Sequence, residues 1–234
     1  MRARIFILLA IFFVSIGFSF FITLKLNSLE EKQILLIDAP TLEKELIVYP
    51  LAWESKNPST KKWSKFLYKE IEKRFDDFEA RDMGYFCENY DNLRKEEKIN
   101  VWAQLISLMA FYESSWNPMA RYVESNLGID PVTKSAIASE GLLQVGYIDS
   151  LYHKCNFAWE TDAKLSETDA KKTVFDPYNN LQCGVIILAK QLKTHKAIVI
   201  NKGAYWAVIK QGHKNSKVAK LIKELNEYEP CLIK

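Results

Sequence analysis

The chain has 234 residues, 48% of them hydrophobic, with 32 lysines and arginines against 29 aspartates and glutamates. That is enough apolar material for the core of one ordinary domain plus extra segments. The formal charge of +3 belongs to residues 1–26, which hold Arg2, Arg4 and Lys25 and no acid; the rest of the chain is neutral, which argues against a nucleic-acid-binding surface.

Ile5 to Leu24 is a near-continuous apolar run, interrupted only by Ser15, Gly17, Ser19 and Thr23. At about twenty residues it is long enough to span a bilayer as a helix. Arg2 and Arg4 before it keep the N-terminus cytoplasmic and send the body across the membrane. No Ala-x-Ala-like cleavage site follows, so residues 1–26 read as an inner-membrane anchor, with a cleaved signal peptide as the alternative. Either way the body is exported.

Residues 27–58 are mixed in polarity and carry Pro40, Pro50 and Pro58, which reads as a stalk. Residues 59–95 form an accessory helical segment. Within it Trp63, Phe66, Leu67, Ile71 and Phe75 recur at helical spacing across Ser59 to Phe78. Residues 96–234 form the main domain. Glu96 to Tyr112 predicts a buried helix, and Gly141 to Tyr152 a short apolar segment. Asp176 predicts an N-cap with Pro177 at the first helical position, opening a helix to Thr194. Ala204 to Lys210 and Ser216 to Tyr228 predict two more. Strand signals are confined to Lys44 to Val48 and Ala197 to Ile200. The fold class is mainly α.

The cysteines are Cys87, Cys155, Cys183 and Cys231. There is no Cys-x-x-Cys pair, and His153, His195 and His213 have no ligand spacing, so no metal site is expected. An even count in an exported domain suggests disulfides. Three pairings are open. Cys155 with Cys183 is favoured because the two bracket one polar loop and the start of one helix; Cys87 with Cys231 would tie the two ends of the domain. Free buried thiols are the alternative.

The chemistry centres on Glu113. It follows the apolar run Val101 to Tyr112, where burial would raise its pKa and make it a proton donor near neutral pH. Cleavage of a glycosidic bond needs such an acid beside the leaving oxygen. After it come Ser114-Ser115-Trp116-Asn117-Pro118, then Gly141-Leu142-Leu143-Gln144, Asp176-Pro177-Tyr178-Asn179-Asn180-Leu181 and Ala204-Tyr205. In that order these pieces resemble the lytic transglycosylases of the soluble-lytic (SLT) type, relatives of lysozyme. Their pattern is Glu-Ser, Asn-Pro, a serine ahead of Gly-Leu-Met-Gln, an Asp-Pro/Asn helix start, and Ala-Tyr-Asn. Ser135 falls on the serine position. The match covers roughly residues 98 to 228. Leu143 replaces the methionine and Trp206 the final asparagine. The interval from Glu113 to Ser135 is long, and its extra segment, Tyr122 to Lys134, reads as a loop through Gly128, Asp130 and Pro131. Goose-type lysozymes share the glutamate and the Gly-Leu-Met-Gln motif and carry an aspartate just after it. Here Gly146 stands there and Asp149 is the nearest acid, which weakens a two-carboxylate hydrolase.

The resemblance implies a lysozyme-like fold and a peptidoglycan lytic transglycosylase. Glu113 would be the single catalytic acid and base, with Ser135, Gln144, Tyr205 and Asn180 as substrate-binding residues. Protonated Glu113 would donate to the oxygen between N-acetylmuramic acid and N-acetylglucosamine. It would then take a proton from the C6 hydroxyl, which closes onto C1 as a 1,6-anhydro sugar. The role implied for Tyr205 is to orient the glutamate or the sugar through its hydroxyl. Trp116, Tyr112 and Tyr147 are core or stacking platforms. No cofactor is required, the partner is the glycan strand of peptidoglycan, and a monomer is expected. The alternatives are a muramidase using water and a non-catalytic glycan-binding protein of the envelope.

Overall fold

A computed structural model describes residues 48–232 apart from Ser125. The anchor or signal expected over residues 1–26 lies outside the described residues, as does the strand signal over Lys44 to Val48 except for Val48, which is not in a strand. Among the described residues no helix is long and apolar enough to cross a membrane.

The described body is mainly helical and belongs to a single compact unit. Its helices are α1 (Lys61–Glu72), α2 (Met83–Phe86), α3 (Lys95–Ser114), α4 (Ile148–Tyr152), α5 (Trp159–Asp162), α6 (Pro177–His195), α7 (Val218–Asn226) and α8 (Glu229–Leu232). Two three-residue strands, β1 (Arg121–Val123) and β2 (Ala138–Glu140), pair antiparallel, with Tyr122 opposite Ser139.

The centre is α3. Glu97 starts it by accepting the Arg94 backbone N–H, and every residue from Ile99 to Ala110 is buried. A helix with no charged residue along this stretch can be enclosed on all sides, its polar Asn100 and Gln104 being hydrogen-bonded. It packs against α1, α7 and α8, while α1 also packs against α6. Trp102 is fully buried, meets Phe78 edge-on at 5.2 Å and donates its indole N–H to the Tyr90 hydroxyl at 2.7 Å. Truncating such a side chain costs about 3–5 kcal/mol.

The stalk expected over residues 27–58 does not extend past Val48. Leu51 and Trp53 are in the core, and the backbone N–H groups of Tyr49 and Ala52 donate to Asn100 and Gln104 of α3. The amphipathic helix expected over 59–78 is the shorter α1. Ala204 to Lys210 is not a helix. It holds one 3-10 turn, Ala207–Ile209, because the Ile200–Lys210 bridge draws the segment out. Ala197 to Ile200 contributes that bridge rather than a strand. The segment read as a loop from Tyr122 to Lys134 starts inside the β1–β2 hairpin, which Asp130 fastens by accepting the Ile148 N–H at the start of α4.

Both favoured disulfides are present, Cys155–Cys183 and Cys87–Cys231, and no described cysteine is free. The polar loop between Cys155 and Pro177 has a second fastening. Buried Asp162 accepts from the Tyr147 hydroxyl and from the Thr173 hydroxyl and backbone N–H. Asp176 caps α6 as expected, accepting from Tyr178 and Asn179 N–H at 2.9 Å.

Candidate active site

Glu113 lies in the last turn of α3 rather than after it. The helix stops at Ser115 and Trp116, both with φ near +60°, while their N–H groups return to the carbonyls of Phe111 and Ala110. This is a Schellman-type stop made without glycine, and left-handed backbone costs a non-glycine residue about 1 kcal/mol or more. Two bonds hold it. Trp116 donates its indole N–H to the Ser107 carbonyl at 2.8 Å, and the Ser114 hydroxyl reaches the Leu142 carbonyl at 2.8 Å.

The second bond joins the helix end to the Gly141–Gln144 turn. That turn is closed by the reciprocal bonds between Glu140 and Val145. It is clamped from two further sides: Asn180 accepts the Leu143 N–H at 2.8 Å, and Trp206 donates its indole N–H to the Leu143 carbonyl at 2.7 Å. Glycine is required at two contacts here. A Cβ on Gly141, at φ +77°, would meet the Asn180 amide nitrogen at 2.1 Å, and one on Gly184 would meet a Leu143 methyl at 2.1 Å. The departure at Trp206 thus has a function of its own, as a clamp on the turn beneath the glutamate.

The Glu113 carboxyl is mostly buried, and its Oε1 is buried without a hydrogen-bond partner. Its pKa is pushed up to about 7, chiefly by burial and then by the nearby Glu124 carboxylate; the Val208 backbone pulls weakly the other way. The negative carbonyl end of α3 offers it no relief. A glutamate held half-protonated near neutrality can both donate and accept.

Glu124 follows β1, is half-buried, and accepts from the Ser139 hydroxyl at 3.1 Å. The sequence reading missed it and took Asp149 for the nearest second acid. A readable signal was present: Arg121-Tyr122-Val123-Glu124 ahead of Gly128 has the look of one arm of a hairpin.

The other expected site residues fall in three settings. Gln144, at φ +48°, is half-buried, and its amide donates to the Ala120 and Gly141 carbonyls, leaving its oxygen unspent. Tyr205 is 36% exposed, and its hydroxyl donates to Asp149 at 2.6 Å rather than to Glu113, although the Glu113 charge acts on it. Asn180 is fully buried and spends its amide on the Leu143 N–H and the Glu140 and Val174 carbonyls, so it braces the turn and cannot meet a sugar. Ser135 is exposed and lines a separate small charged cavity of about 50 Å³ with Arg121, Glu140 and Lys172. Tyr147 is core, Trp116 stacks on Phe111 at 4.8 Å, and Tyr112 donates to Glu224. No group of His, Cys, Asp and Glu suited to a metal ion occurs among the described residues.

No protein-family model matches the chain, and no curated protein matches it. Solved structures do. Bd0314 DslA, a Bdellovibrio protein, superposes with a TM-score of 0.64 at 24% identity, over 79% of this chain and 98% of that one. Two glutamate-to-glutamine variants of the same protein each give 0.63, at 25% and 23% identity. The chain therefore shares its fold with Bd0314 DslA over nearly all of that protein's length.

Proposed function

We propose that this protein cleaves the β-1,4 bond between N-acetylmuramic acid and N-acetylglucosamine in peptidoglycan, with Glu113 as the general acid. The observation that carries the reading is the Glu113 carboxyl itself: half-buried, with one oxygen buried and unpartnered and a pKa raised to about 7. A buried carboxyl oxygen left without a partner costs stability, about 1–3 kcal/mol. A purely structural glutamate would be paired. The motif order from Glu113 to Tyr205 supports the same lysozyme-like site.

The fate of the sugar cation divides two enzymes. In one, the lytic transglycosylase implied by the motifs, Glu113 takes back a proton from the C6 hydroxyl and a 1,6-anhydro ring closes. In the other, water attacks and a second carboxylate activates it. A specific observation favours water: Glu124 lies within electrostatic reach of Glu113. In the DslA structures, the two glutamates replaced by glutamine lie eleven positions apart, which is also the interval from Glu113 to Glu124. We therefore favour a muramidase, with ring closure as the second reading. The two disulfides support work in an oxidising, exported compartment, and the apolar run Ile5 to Leu24 supports an inner-membrane tether.

Mass spectrometry of muropeptides released by the purified body tests both levels. Reducing ends are expected. Anhydro ends would transfer the assignment to the transglycosylase, and no release from cell walls would overturn the reading altogether.

A further inference from the structure

Tyr122, in the middle of β1, is 62% exposed, and among the described residues no ring contact and no hydrogen bond engages its side chain. A single exposed aromatic residue is ordinary. The face on which this one stands is what distinguishes it. Alternate side chains along a strand share a face, and residues opposite each other in register share it too. Tyr122 is opposite Ser139, and the Ser139 hydroxyl donates to Glu124, two residues beyond Tyr122, at 3.1 Å. Tyr122, Ser139 and Glu124 therefore stand on one face of the hairpin. Arg121 is on the other, where it bonds Glu140 at 3.1 Å beside the small charged cavity.

Hydrogen bonds fix where the hairpin is rooted. The Ala120 carbonyl, just before β1, accepts the Gly141 N–H at 2.8 Å and the Gln144 side-chain amide at 3.3 Å. The same turn holds the end of α3, through the 2.8 Å bond from the hydroxyl of Ser114, next to Glu113, to the Leu142 carbonyl. The face that carries Tyr122 and Glu124 thus rises from the turn on which the end of α3 is seated.

A pyranose ring shows polar edges and an apolar face of C–H groups. The π-face of a phenol carries partial negative charge and takes such polarised C–H groups while burying apolar area. Residues two apart on a strand are separated by about 6.6 Å, close to the length of one sugar unit. A glycan strand lying along this face therefore meets Tyr122 and Glu124 with successive rings.

We propose that Tyr122 is a stacking platform for one pyranose ring of the glycan strand, the ring next to the unit that faces Glu124. This rests on the cleavage reading and deepens it, because it names the residue that grips the neighbouring sugar. Stacking rather than hydrogen bonding carries the contact, so the ring matters and the hydroxyl does not.

The test uses Glu113→Gln protein, which binds without cleaving, and the β-1,4-linked tetramer of N-acetylglucosamine as probe. Calorimetry reads the affinity. Adding Tyr122→Ala should weaken binding about three- to tenfold, and adding Tyr122→Phe should keep it within about twofold. Val123→Ala, on the opposite face, should leave it unchanged. Proton NMR with Tyr122 intact supplies a readout that needs no change at 122: C–H signals of one sugar ring should shift upfield and show cross-relaxation to the Tyr122 ring. Undiminished affinity in Tyr122→Ala would overturn the proposal, as would an equal loss in Val123→Ala or in Tyr122→Phe. So would a folded protein that does not take the tetramer at millimolar concentration. Binding is read without turnover, so walls left uncleaved by the wild-type body would end the proposed function and leave this result standing.

Discussion

Two glutamates on packed helices, Glu70 buried and Glu113 half-buried, have opposite fates. Glu70, on α1, is 1% exposed. Burial drives its pKa up, but hydrogen bonds from Lys73 and Gln182 and the charges of Lys73 and Arg74 outweigh that and bring it below the ordinary value. Glu113, at the end of α3, has burial and a second carboxylate and almost nothing to oppose them. The same side chain is held ionised in one place and has its pKa raised toward neutrality in the other. Lys73, Arg74 and Gln182 partner Glu70, and among the described residues nothing comparable partners Glu113.

The comparison can be broken in several ways. The largest effect expected is on catalysis. Glu113→Gln removes the proton donor without changing shape, and cleavage should fall by about 10²–10⁴-fold from that loss. Glu70→Gln should leave the rate within a few-fold of wild type. Turnover assays on purified cell walls measure both; comparable losses in the two variants would erase the distinction. Glu124→Gln comes next. If water is activated there, turnover should drop by about 10–10³-fold with Glu113 intact, and the midpoint of the Glu113 titration should fall because a neighbouring negative charge is gone.

Stability should move the other way. Glu70→Gln discards one half of an ion cluster whose cations are partly solvated, Lys73 at 62% and Arg74 at 29%. A loss of about 1–2 kcal/mol in urea unfolding is expected. Glu113→Gln should stabilise, and only at higher pH. The Glu113 pKa is raised on folding from 4.5 to about 7, so its favourable contribution is complete below 4.5 and disappears as pH rises through 7. Relative to wild type the variant should gain roughly 1–3 kcal/mol between pH 4 and pH 8. A difference independent of pH would show that Glu113 is not held protonated.

The sequence revealed what depends on near neighbours. Asp176-Pro177 announces a helix start because the cap is made two and three residues on. The run from Val101 to Tyr112 announces a buried helix because it holds no charged residue and only Gln104 and Ser107 interrupt its apolar side chains. Glu113 is legible through that run. Pairings across the fold were not legible. Glu124 approaches Glu113 only once β1 and β2 have paired, and Gly128 alone does not specify that register. Asn180 stands in the Asp176–Leu181 motif, but its burial depends on Gly141 coming within reach. Tyr205 shows its partner only when α4 brings Asp149 to it. Ala204 to Lys210 misled for a different reason: a short apolar run carries no period that separates helix from coil, and the clamp at Trp206 and the bridge at Lys210 decide its shape.

The bond between Cys87 and Cys231 joins positions 144 residues apart, and Glu113, Glu124, Asp149, Tyr205 and both partners of the other bond lie between them. The candidate site is therefore written on a covalent ring rather than on a thread. A protease that cuts the exposed hairpin tip near Leu127 opens the ring but releases no fragment. The two halves stay one molecule for as long as the compartment stays oxidising, and only a cut followed by reduction lets the acid and its neighbours diffuse apart.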